Sequence, residues 1–117
     1  MSECVICRIV AGALRARVLH DDDLVLAFDL PRDHPVRQAP VHFLVVPKQH
    51  VPSARELESR HEPALGRMLT VASQLARSTG IEASGYRLVS NTGQDAGQTV
   101  FHLHLHCLGG RQLGAEG

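Results

Sequence analysis

The stretch Phe101-His102-Leu103-His104-Leu105-His106-Cys107-Leu108 alternates three histidines with apolar residues. Successive side chains of a β-strand point to opposite faces, at a rise of roughly 3.3 Å per residue, whereas a helix would scatter the imidazoles around its circumference. The pattern therefore predicts a strand with the three imidazoles on one face, each about 7 Å along from the last. The other face would be apolar enough to bury and would consist of Phe101, Leu103, Leu105 and Cys107.

The overall composition is that of an ordinary globular protein. A chain of 117 residues is long enough for one core, so we predict a single domain over residues 1–117, with a flexible tail from about 111 to 117. The formal net charge of zero argues against a nucleic-acid or anionic-membrane partner. No apolar run approaches the roughly 18–20 residues that cross a bilayer, and no export signal is recognisable, so we expect a cytoplasmic protein.

The cysteines favour metal or redox chemistry over a disulfide framework, since there are three and two form Cys4-Val5-Ile6-Cys7. A C-x-x-C pair is half of a zinc site, a redox pair or simply two half-buried thiols. The redox alternative is typical of a thioredoxin-like βαβ context, which this sequence does not predict. Cys4, Cys7 and Arg8 repeat at helical spacing, which indicates a short helix ending near Gly12.

Two strands and a loop are predicted next. Residues 15–20 and 24–28 are typical of a β-hairpin with an acidic turn between them. Three prolines lie between Pro31 and Pro40, and because proline cannot donate to a ladder this segment is predicted to be a loop. The strand His42–Pro47 follows, with His42 and Leu44 predicted to face one way and Phe43 and Val45 the other.

The longest predicted element is an amphipathic helix. Ser53–Glu56 and Ser59–Glu62 both have the capping-box form, and the second would open this helix, with Pro63 in its first turn and Gly80 as its C-terminal cap. We expect His61 to face solvent. The apolar positions have the spacing of one buried helix face and are Leu65, Met68, Leu69, Ala72, Leu75 and Ala76.

A glycine-containing loop, Asn91–Thr99, separates a predicted strand at Tyr86–Ser90 from the histidine motif. Glycines let a backbone approach a ligand closely and let N–H groups converge on an anion. The loop is not a P-loop, because no Gly-Lys-Ser/Thr follows and it leads into a strand. Its position can set backbone donors and the Thr99 hydroxyl beside His104.

Three imidazoles on one strand have three physical interpretations. One is a catalytic zinc site, but three same-face residues span roughly 13 Å and cannot easily close on one ion at about 2.0 Å. Another is nucleophilic catalysis, in which an imidazole attacks phosphorus and its neighbours stabilise the phosphate oxygens. The third is a surface cluster without a function, which the apolar alternation disfavours.

The motif, from Gly97 through Gly110, resembles the signature of the histidine triad superfamily of nucleotide hydrolases and transferases. The resemblance extends over nearly the whole chain and is greatest to the purine nucleoside phosphoramidases, in a variant with a Cys-x-x-Cys zinc site. The segments that carry it, besides the motif, are Cys4-x-x-Cys7, Ala27-Phe28-Asp29, Ala39-Pro40-Val41-His42-Phe43-Leu44-Val45-Val46-Pro47-Lys48-x-His50, Asn91-x-Gly93 and Leu108-Gly109-Gly110-Arg111-Gln112.

The resemblance implies a role for each matching position. His104 would be the nucleophile that carries the nucleotidyl group, and His106 would bind the phosphate and assist the leaving group. His42 matches the family's fourth active-site histidine. Asn91, Gly97 and Thr99 would bind the phosphate and sugar. Asp29 would contact the ribose hydroxyls. The loop after Asp29 is longer than in the family and contains Asp33, which leaves open which aspartate reaches the ribose.

Some members of the family bind structural zinc, and the matching ligands here are Cys4, Cys7, His50 and His102. A closed set of two thiolates and two imidazoles suits a tetrahedral structural site rather than an open catalytic one. No cofactor would then be needed for the chemistry itself.

The resemblance implies an α+β fold: an antiparallel sheet of about five strands, one long helix and a short N-terminal helix, with two copies joining their sheets into a homodimer. It implies an enzyme, a nucleoside phosphoramidase that hydrolyses purine nucleoside 5′-phosphoramidates or related compounds through a nucleotidyl-histidine intermediate. Dinucleoside polyphosphate hydrolysis or nucleotidyl transfer by the same histidine is one alternative. A non-catalytic nucleotide-binding or regulatory protein is the other. The physiological substrate and leaving group cannot be read from the sequence.

Overall fold

The computed structural model describes residues 4–115 of the chain. Two helices and five strands follow one another in the order α1 (Val5–Val10), β1 (Arg17–Asp21), β2 (Val25–Asp29), β3 (Val41–Pro47), α2 (Glu62–Ser78), β4 (Tyr86–Val89) and β5 (Leu105–Gly109). Short 3₁₀ turns lie at Ala54–Glu56, Ser59–His61 and Gln94–Ala96. No helix among these residues is long and apolar enough to cross a membrane.

The five strands form one sheet in the order β1-β2-β3-β5-β4, and every neighbouring pair is antiparallel. The predicted α+β architecture is therefore confirmed, as are the N-terminal hairpin and the strand that contains His42. Strand β5 lies between β3 and β4, with Leu44 opposite His106 and Phe43 opposite Cys107. Since facing residues share a face of the sheet, this register assigns His106 and Cys107 to opposite sides.

One side of the sheet packs against α2. Phe43 and Cys107 lie on this side with no exposed surface, next to Val71 and Ala72 of the helix, which are also fully buried. The other side packs against α1 through a second apolar cluster that includes Ile6 and Leu44. The sheet thus separates a helix-covered core from the face that carries the histidines.

The predicted histidine strand begins later than its alternation suggests. Strand β5 starts at Leu105, and residues 101–104 leave the ladder, because the N–H of Leu103 donates to the carbonyl oxygen of Val51 at 2.6 Å instead of to β3. Leu103 is buried as predicted, along with the apolar residues of β5. Phe101 was predicted to be buried with them, and that prediction is wrong, since its side chain is 58% exposed beyond the end of the ladder.

Helix α2 corrects three further predictions. It begins at Glu62 rather than Ser59, because Ser59–His61 form a 3₁₀ turn capped reciprocally by Glu58 and His61. His61 is 5% exposed, not solvent-facing, and its Nδ1 accepts a hydrogen bond from the Glu58 N–H at 2.9 Å. Leu69 was predicted to lie on the buried face with Met68 but is 51% exposed, since the buried face of the helix runs through Met68 and Val71.

The segment after β5 contacts the rest of the chain in its described part. Arg111 Nε donates to the Gln38 carbonyl oxygen at 2.8 Å, and an Arg87 Nη atom donates to the Gly114 carbonyl oxygen at 2.6 Å. The last two residues of the predicted flexible tail, Glu116 and Gly117, lie outside the described residues. The flexible tail, the single-domain boundary and the cytoplasmic location stay predictions.

The neighbours Met68 and Leu69 test the orientation of α2. Met68→Ala leaves a cavity beneath the sheet, so we expect it to lower the free energy of unfolding by about 3 kcal/mol. The matched variant Leu69→Ala removes an exposed side chain and should change that free energy by less than about 0.5 kcal/mol. Urea unfolding of both variants measures the difference, and equal losses would contradict this orientation of the helix.

Candidate active site and metal cluster

A cavity of about 940 Å³ lies on the α1 side of the sheet. Its volume is at the upper end of the range for small-molecule sites. Every residue predicted for catalysis or nucleotide binding lines it: Asp29, His42, Asn91, Gly97, Thr99, His104 and His106. Asp33, the alternative to Asp29, is exposed and is not part of the lining.

Two adjacent strands bring His42 and His106 together. His42 lies on β3 and His106 on β5, on the same face and offset by two residues in the register. His42 is fully buried and His106 is 8% exposed. Their rings are joined by a hydrogen bond of 2.9 Å between His42 Nε2 and His106 Nδ1.

Burial keeps both of these rings neutral near pH 7. Loss of hydration lowers the pKa of His42 to about 4, and the nearby Arg37 charge adds to the effect. Burial likewise lowers the pKa of His106 to about 4, with contributions from His104 and His42. A neutral imidazole has one N–H and one bare nitrogen, so the direction of each hydrogen bond is informative.

The backbone N–H of Gln38 sets these directions, because it can only donate. It donates to His42 Nδ1 at 3.1 Å, so the hydrogen of the neutral His42 ring is on Nε2. That hydrogen is donated to His106 Nδ1, and the hydrogen of His106 is therefore on its Nε2. His106 thus offers an N–H donor to a ligand in the cavity that it lines.

In His104 the ring hydrogen is on the other nitrogen than in His106. His104 Nδ1 is 2.6 Å from the carbonyl oxygen of His102, which can only accept, so the ring hydrogen is on Nδ1. In the neutral ring, Nε2 then carries a free lone pair. The rings of His104 and His106 have centroids 5.0 Å apart. In the neutral ring, the cavity therefore has a bare nitrogen of His104 beside the N–H donor of His106.

The glycine loop next to these histidines is braced by Gln98, which sequence reasoning missed. Its side chain is buried, accepts from the Gly93 N–H at 2.9 Å and donates to the carbonyl oxygens of Pro52 and Val100 at 2.8 and 3.1 Å. Gly97 adopts a left-handed conformation at φ 82°, which favours glycine. An amide side chain inside a glycine loop is the sequence signal that could have pointed to this role.

A second residue that sequence reasoning missed is Arg37, in the proline-rich loop. Its guanidinium lies 3.4 Å from Asp29 Oδ1 and donates to the carbonyl oxygens of Leu30 and Pro40. The other carboxylate oxygen of Asp29 lies 3.6 Å from an Nη atom of Arg17. The carboxylate in the cavity wall is therefore held between two arginines.

A second cluster lies on the other side of α1. One ligand atom from each of Cys4, Cys7, His50 and His102 is within 4.8 Å of all the others. His102 Nε2 donates to the Pro47 carbonyl oxygen at 2.8 Å, so the bare Nδ1 faces the cluster. These four residues are the predicted metal ligands, brought together from three segments of the chain.

The distances within this cluster fit a tetrahedral ion. Bonds of about 2.0 Å to nitrogen and 2.3 Å to sulfur require about 3.3 Å between two nitrogen ligands and about 3.5 Å between nitrogen and sulfur. The two Nδ1 atoms of His50 and His102 are 3.2 Å apart. Cys4 Sγ lies 3.5 Å from His102 Nδ1, and Cys7 Sγ lies 3.2 Å from His50 Nδ1. The cluster is compatible with a zinc ion.

Helix α1 is shared by the cluster and the cavity. Cys4, which caps the helix, and Cys7 contribute to the cluster, whereas Val5, Ile6 and Ile9 line the cavity. A metal ion bound by the thiols would therefore also fix an apolar wall of the cavity.

The fold and site define a histidine triad protein, and comparison with known proteins gives the same class. A family model described as "Scavenger mRNA decapping enzyme C-term binding", which represents a domain of histidine triad type, matches residues 3–115. The chain belongs to the histidine triad family, as the sequence motif predicted.

Individual relatives refine this assignment. The chain is 43% identical over 112 residues to the purine nucleoside phosphoramidase of Escherichia coli K12, an alignment that covers 96% of this chain and 91% of the relative. A HIT family hydrolase from Legionella pneumophila Philadelphia 1 has a TM-score of 0.88 at 39% identity, covering 94% and 95% of the two chains. A histidine triad protein from Clostridium difficile has a TM-score of 0.90 at 34% identity, covering 100% and 98%.

The neutral state of His42 and His106 predicts acid destabilisation. Their pKa in the unfolded chain is about 6.5 and in the fold about 4, so the unfolded state binds more protons between these values. Their stabilising contribution is complete above pH 6.5 and is lost as the pH falls towards 4. We expect about 2 kcal/mol per ring to be lost between pH 7.5 and pH 5.

His42→Gln removes the titration of the His42 ring. The free energy of unfolding of this variant should therefore fall by less than that of the wild type between pH 7.5 and pH 5. Urea unfolding at pH 7.5 and pH 5 measures both. Protonation of other groups, including the metal cluster, is common to both proteins and cancels in the comparison. Equal losses in the two proteins would refute the assignment of a depressed pKa to His42.

Proposed function

We propose that this protein is a nucleotide hydrolase that cleaves purine nucleoside 5′-phosphoramidates or related nucleotidyl compounds to a nucleoside monophosphate. The observation that carries the proposal is the pairing of a bare nitrogen on His104 with an N–H on His106 in one cavity. Nucleophilic attack on phosphorus needs a lone pair, and the phosphate oxygens need a donor beside it. The similarity to a purine nucleoside phosphoramidase supports the same reaction class.

The proposed reaction has two steps. His104 Nε2 attacks the α-phosphorus and forms a P–N bond, the bond from phosphorus to the leaving nitrogen breaks, and that nitrogen takes a proton from solvent and leaves as the amine. The N–H of His106 stabilises the developing charge on the phosphate and assists departure of the leaving group. Water then attacks the phosphorus of the nucleotidyl-His104 intermediate, the bond from phosphorus to Nε2 breaks, and a proton of that water returns to solvent, which releases the nucleoside monophosphate and restores the imidazole. The hydrogen bond from Nδ1 to the His102 carbonyl would stabilise the positive charge on the nucleotidylated ring.

The remaining residues of the cavity are assigned to binding. His42 orients His106 and closes the phosphate side of the cavity, and the Thr99 hydroxyl contributes a further hydrogen bond to the phosphate. Asn91 and Gly97 would contact the phosphate and sugar, and Asp29 the ribose hydroxyls. The apolar wall formed by α1 suits the flat face of a purine base.

We assign structural zinc to the cluster of Cys4, Cys7, His50 and His102. Two thiolates and two imidazoles close the coordination sphere, which leaves no open position for a reacting water. Zinc would link α1 to the segment that carries His102, next to the nucleophile. The proposed chemistry takes place on His104 and needs no metal.

Cleavage of dinucleoside polyphosphates, or nucleotidyl transfer, by the same His104 is the second candidate function. It is favoured by the positive charge that Arg15, Arg17 and Arg111 bring to the cavity lining, against one carboxylate, that of Asp29, among the described lining residues. Arginines at this position would complement the additional phosphates of such a substrate. Comparing kcat/KM for diadenosine polyphosphate with that for adenosine 5′-phosphoramidate discriminates between the two functions.

We also propose a homodimer in which two sheets join into one. Strand β4 is at an edge of the sheet, with hydrogen-bonding groups along one side that no strand of the described chain pairs. Such an edge favours pairing with a second copy.

His104→Ala tests the proposed mechanism. Removal of the nucleophile should lower kcat on adenosine 5′-phosphoramidate at least about a thousand-fold, because the variant lacks the attacking lone pair of His104. Rapid quenching of wild type with phosphorus-labelled substrate should trap a label on the chain that is labile to acid, and the variant should trap none.

His20→Gln is the matched control, since His20 lies on β1 outside the cavity and hydrogen-bonds Asp22 at 2.7 Å. It should keep wild-type activity. Turnover that survives His104→Ala would overturn the mechanism, and tight nucleotide binding without turnover of any substrate would favour a non-catalytic protein.

Metal content tests the zinc assignment. Protein purified without exposure to chelator should contain about one zinc per chain, as a closed site with two thiolates and two imidazoles binds tightly. Cys7→Ser should lower the zinc content to less than half of that, measured by plasma mass spectrometry. A wild-type content far below one zinc per chain would refute the assignment.

Cys107→Ala is the control for cysteine replacement. Cys107 is buried in the core away from the cluster, and burial raises the pKa of its thiol to about 12. This variant should retain its zinc. The metal-free wild type should also bind adenosine monophosphate more weakly, because α1 forms a wall of the cavity.

A further inference from the structure

Arg37 is an almost buried arginine in an exposed loop. Its side chain is 9% exposed, although most residues of the segment 31–40 are exposed, including Arg32. The guanidinium donates to the carbonyl oxygens of Leu30 and Pro40, which lie at the two ends of the loop, and contacts Asp29. The guanidinium is planar, and its hydrogen bonds to two backbone carbonyls fix its orientation. Its contact with Asp29 is therefore fixed as well.

The third contact is with the carboxylate of the cavity. Asp29 is the last residue of β2, its side chain is 22% exposed, and it is the only carboxylate among the cavity-lining residues of the described chain. Arg37 lies 3.4 Å from Oδ1, and Arg17 lies 3.6 Å from Oδ2. A carboxylate has about four lone-pair sites, so both oxygens can still accept hydrogen bonds from a ligand.

The two arginines are not equivalent. The Arg17 side chain is 78% exposed, so water screens its interaction and its long side chain is free to move. Arg37 is desolvated and anchored at both ends of its loop. The orientation of Asp29 is therefore set by Arg37, which also offsets the negative charge that Asp29 would present to a nearby phosphate.

We propose that Arg37 is the positioning residue that gives this site its preference for ribose, by holding the Asp29 carboxylate in the orientation that accepts hydrogen bonds from a cis-diol. The proposal rests on the proposed function, since it takes the ligand to be a nucleotide. Arg37 does not touch the ligand in this arrangement. It acts through Asp29, and its effect is confined to ligands that carry the two hydroxyl groups.

Equilibrium binding of two nucleotides tests this proposal without requiring turnover. Calorimetry gives the Kd of adenosine 5′-monophosphate and of its 2′,3′-dideoxy analogue, and the ratio of the two is the ribose selectivity. We expect a ratio of roughly ten to a hundred in the wild type, as hydrogen bonds to a charged acceptor contribute that much. Asp29→Asn and Arg37→Gln should each bring the ratio to within about threefold of one.

Three further variants separate positioning from general damage. Arg32→Gln, the matched exposed arginine of the same loop, should keep the wild-type ratio. The double variant Asp29→Asn with Arg37→Gln should have the same ratio as Asp29→Asn alone, because residues that act through one contact are not additive. Arg37→Lys keeps the charge but cannot bridge the same three acceptors, so its ratio should fall between those of wild type and Arg37→Gln. If Arg37→Gln fails to fold, the ratio of the two Kd values in Arg37→Lys tests the proposal in its place.

The outcomes are distinct. If Arg37→Gln weakens both nucleotides equally and keeps the ratio, Arg37 only supports the loop and the proposal is overturned. If the wild type binds both nucleotides equally well, Asp29 does not bind the ribose and the proposal fails while the nucleotide site stands. If the wild type binds neither nucleotide, the proposed function is wrong, and the proposed role of Arg37 is then refuted as well.

Discussion

Antiparallel pairing of β3 with β5 sets Leu44 opposite His106 and Phe43 opposite Cys107, and the rest of the structure depends on this register. One face of the two strands is buried against α2, and the other holds His42 and His106 at hydrogen-bonding distance. A slip of one residue would exchange the faces, moving imidazoles into the apolar core and apolar side chains into the cavity. The same ladder therefore determines both the stability of the core and the geometry of the site.

Three histidines from one alternating motif present three different groups, a bare Nδ1, a bare Nε2 and an Nε2–H, because each ring has a different hydrogen-bond partner. His102 donates from Nε2 to the Pro47 carbonyl and leaves Nδ1 bare towards the thiols. His104 donates from Nδ1 to the His102 carbonyl and leaves Nε2 bare. His106 accepts at Nδ1 from His42 and keeps its hydrogen on Nε2. Since backbone carbonyls only accept and backbone N–H groups only donate, the main chain assigns the chemistry of each side chain.

Much of the fold was predictable from local pattern, and the failures have local causes. Phe101 shares the alternation of the motif, but it lies before Leu105, where the ladder begins, so it is exposed. Leu69 has a helical spacing compatible with the buried face, yet that face runs through Met68 and Val71 and leaves Leu69 exposed. His61 is buried because it caps the turn before α2, a role that depends on backbone geometry. Gln98 is buried and hydrogen-bonds the glycine loop, but its sequence context gave only a weak indication of this role.

The sequence by itself determined the order of the elements, the family, and which histidines and cysteines are candidates for chemistry, because alternation and motif spacing are properties of neighbouring residues. Only the tertiary structure decided which nitrogen each imidazole presents and which arginine holds Asp29. Those outcomes depend on burial and on the direction of hydrogen bonds from distant groups, such as the Pro47 carbonyl on His102 and the Arg37 guanidinium on Asp29. A side chain's chemistry is set by partners that the chain brings to it only on folding.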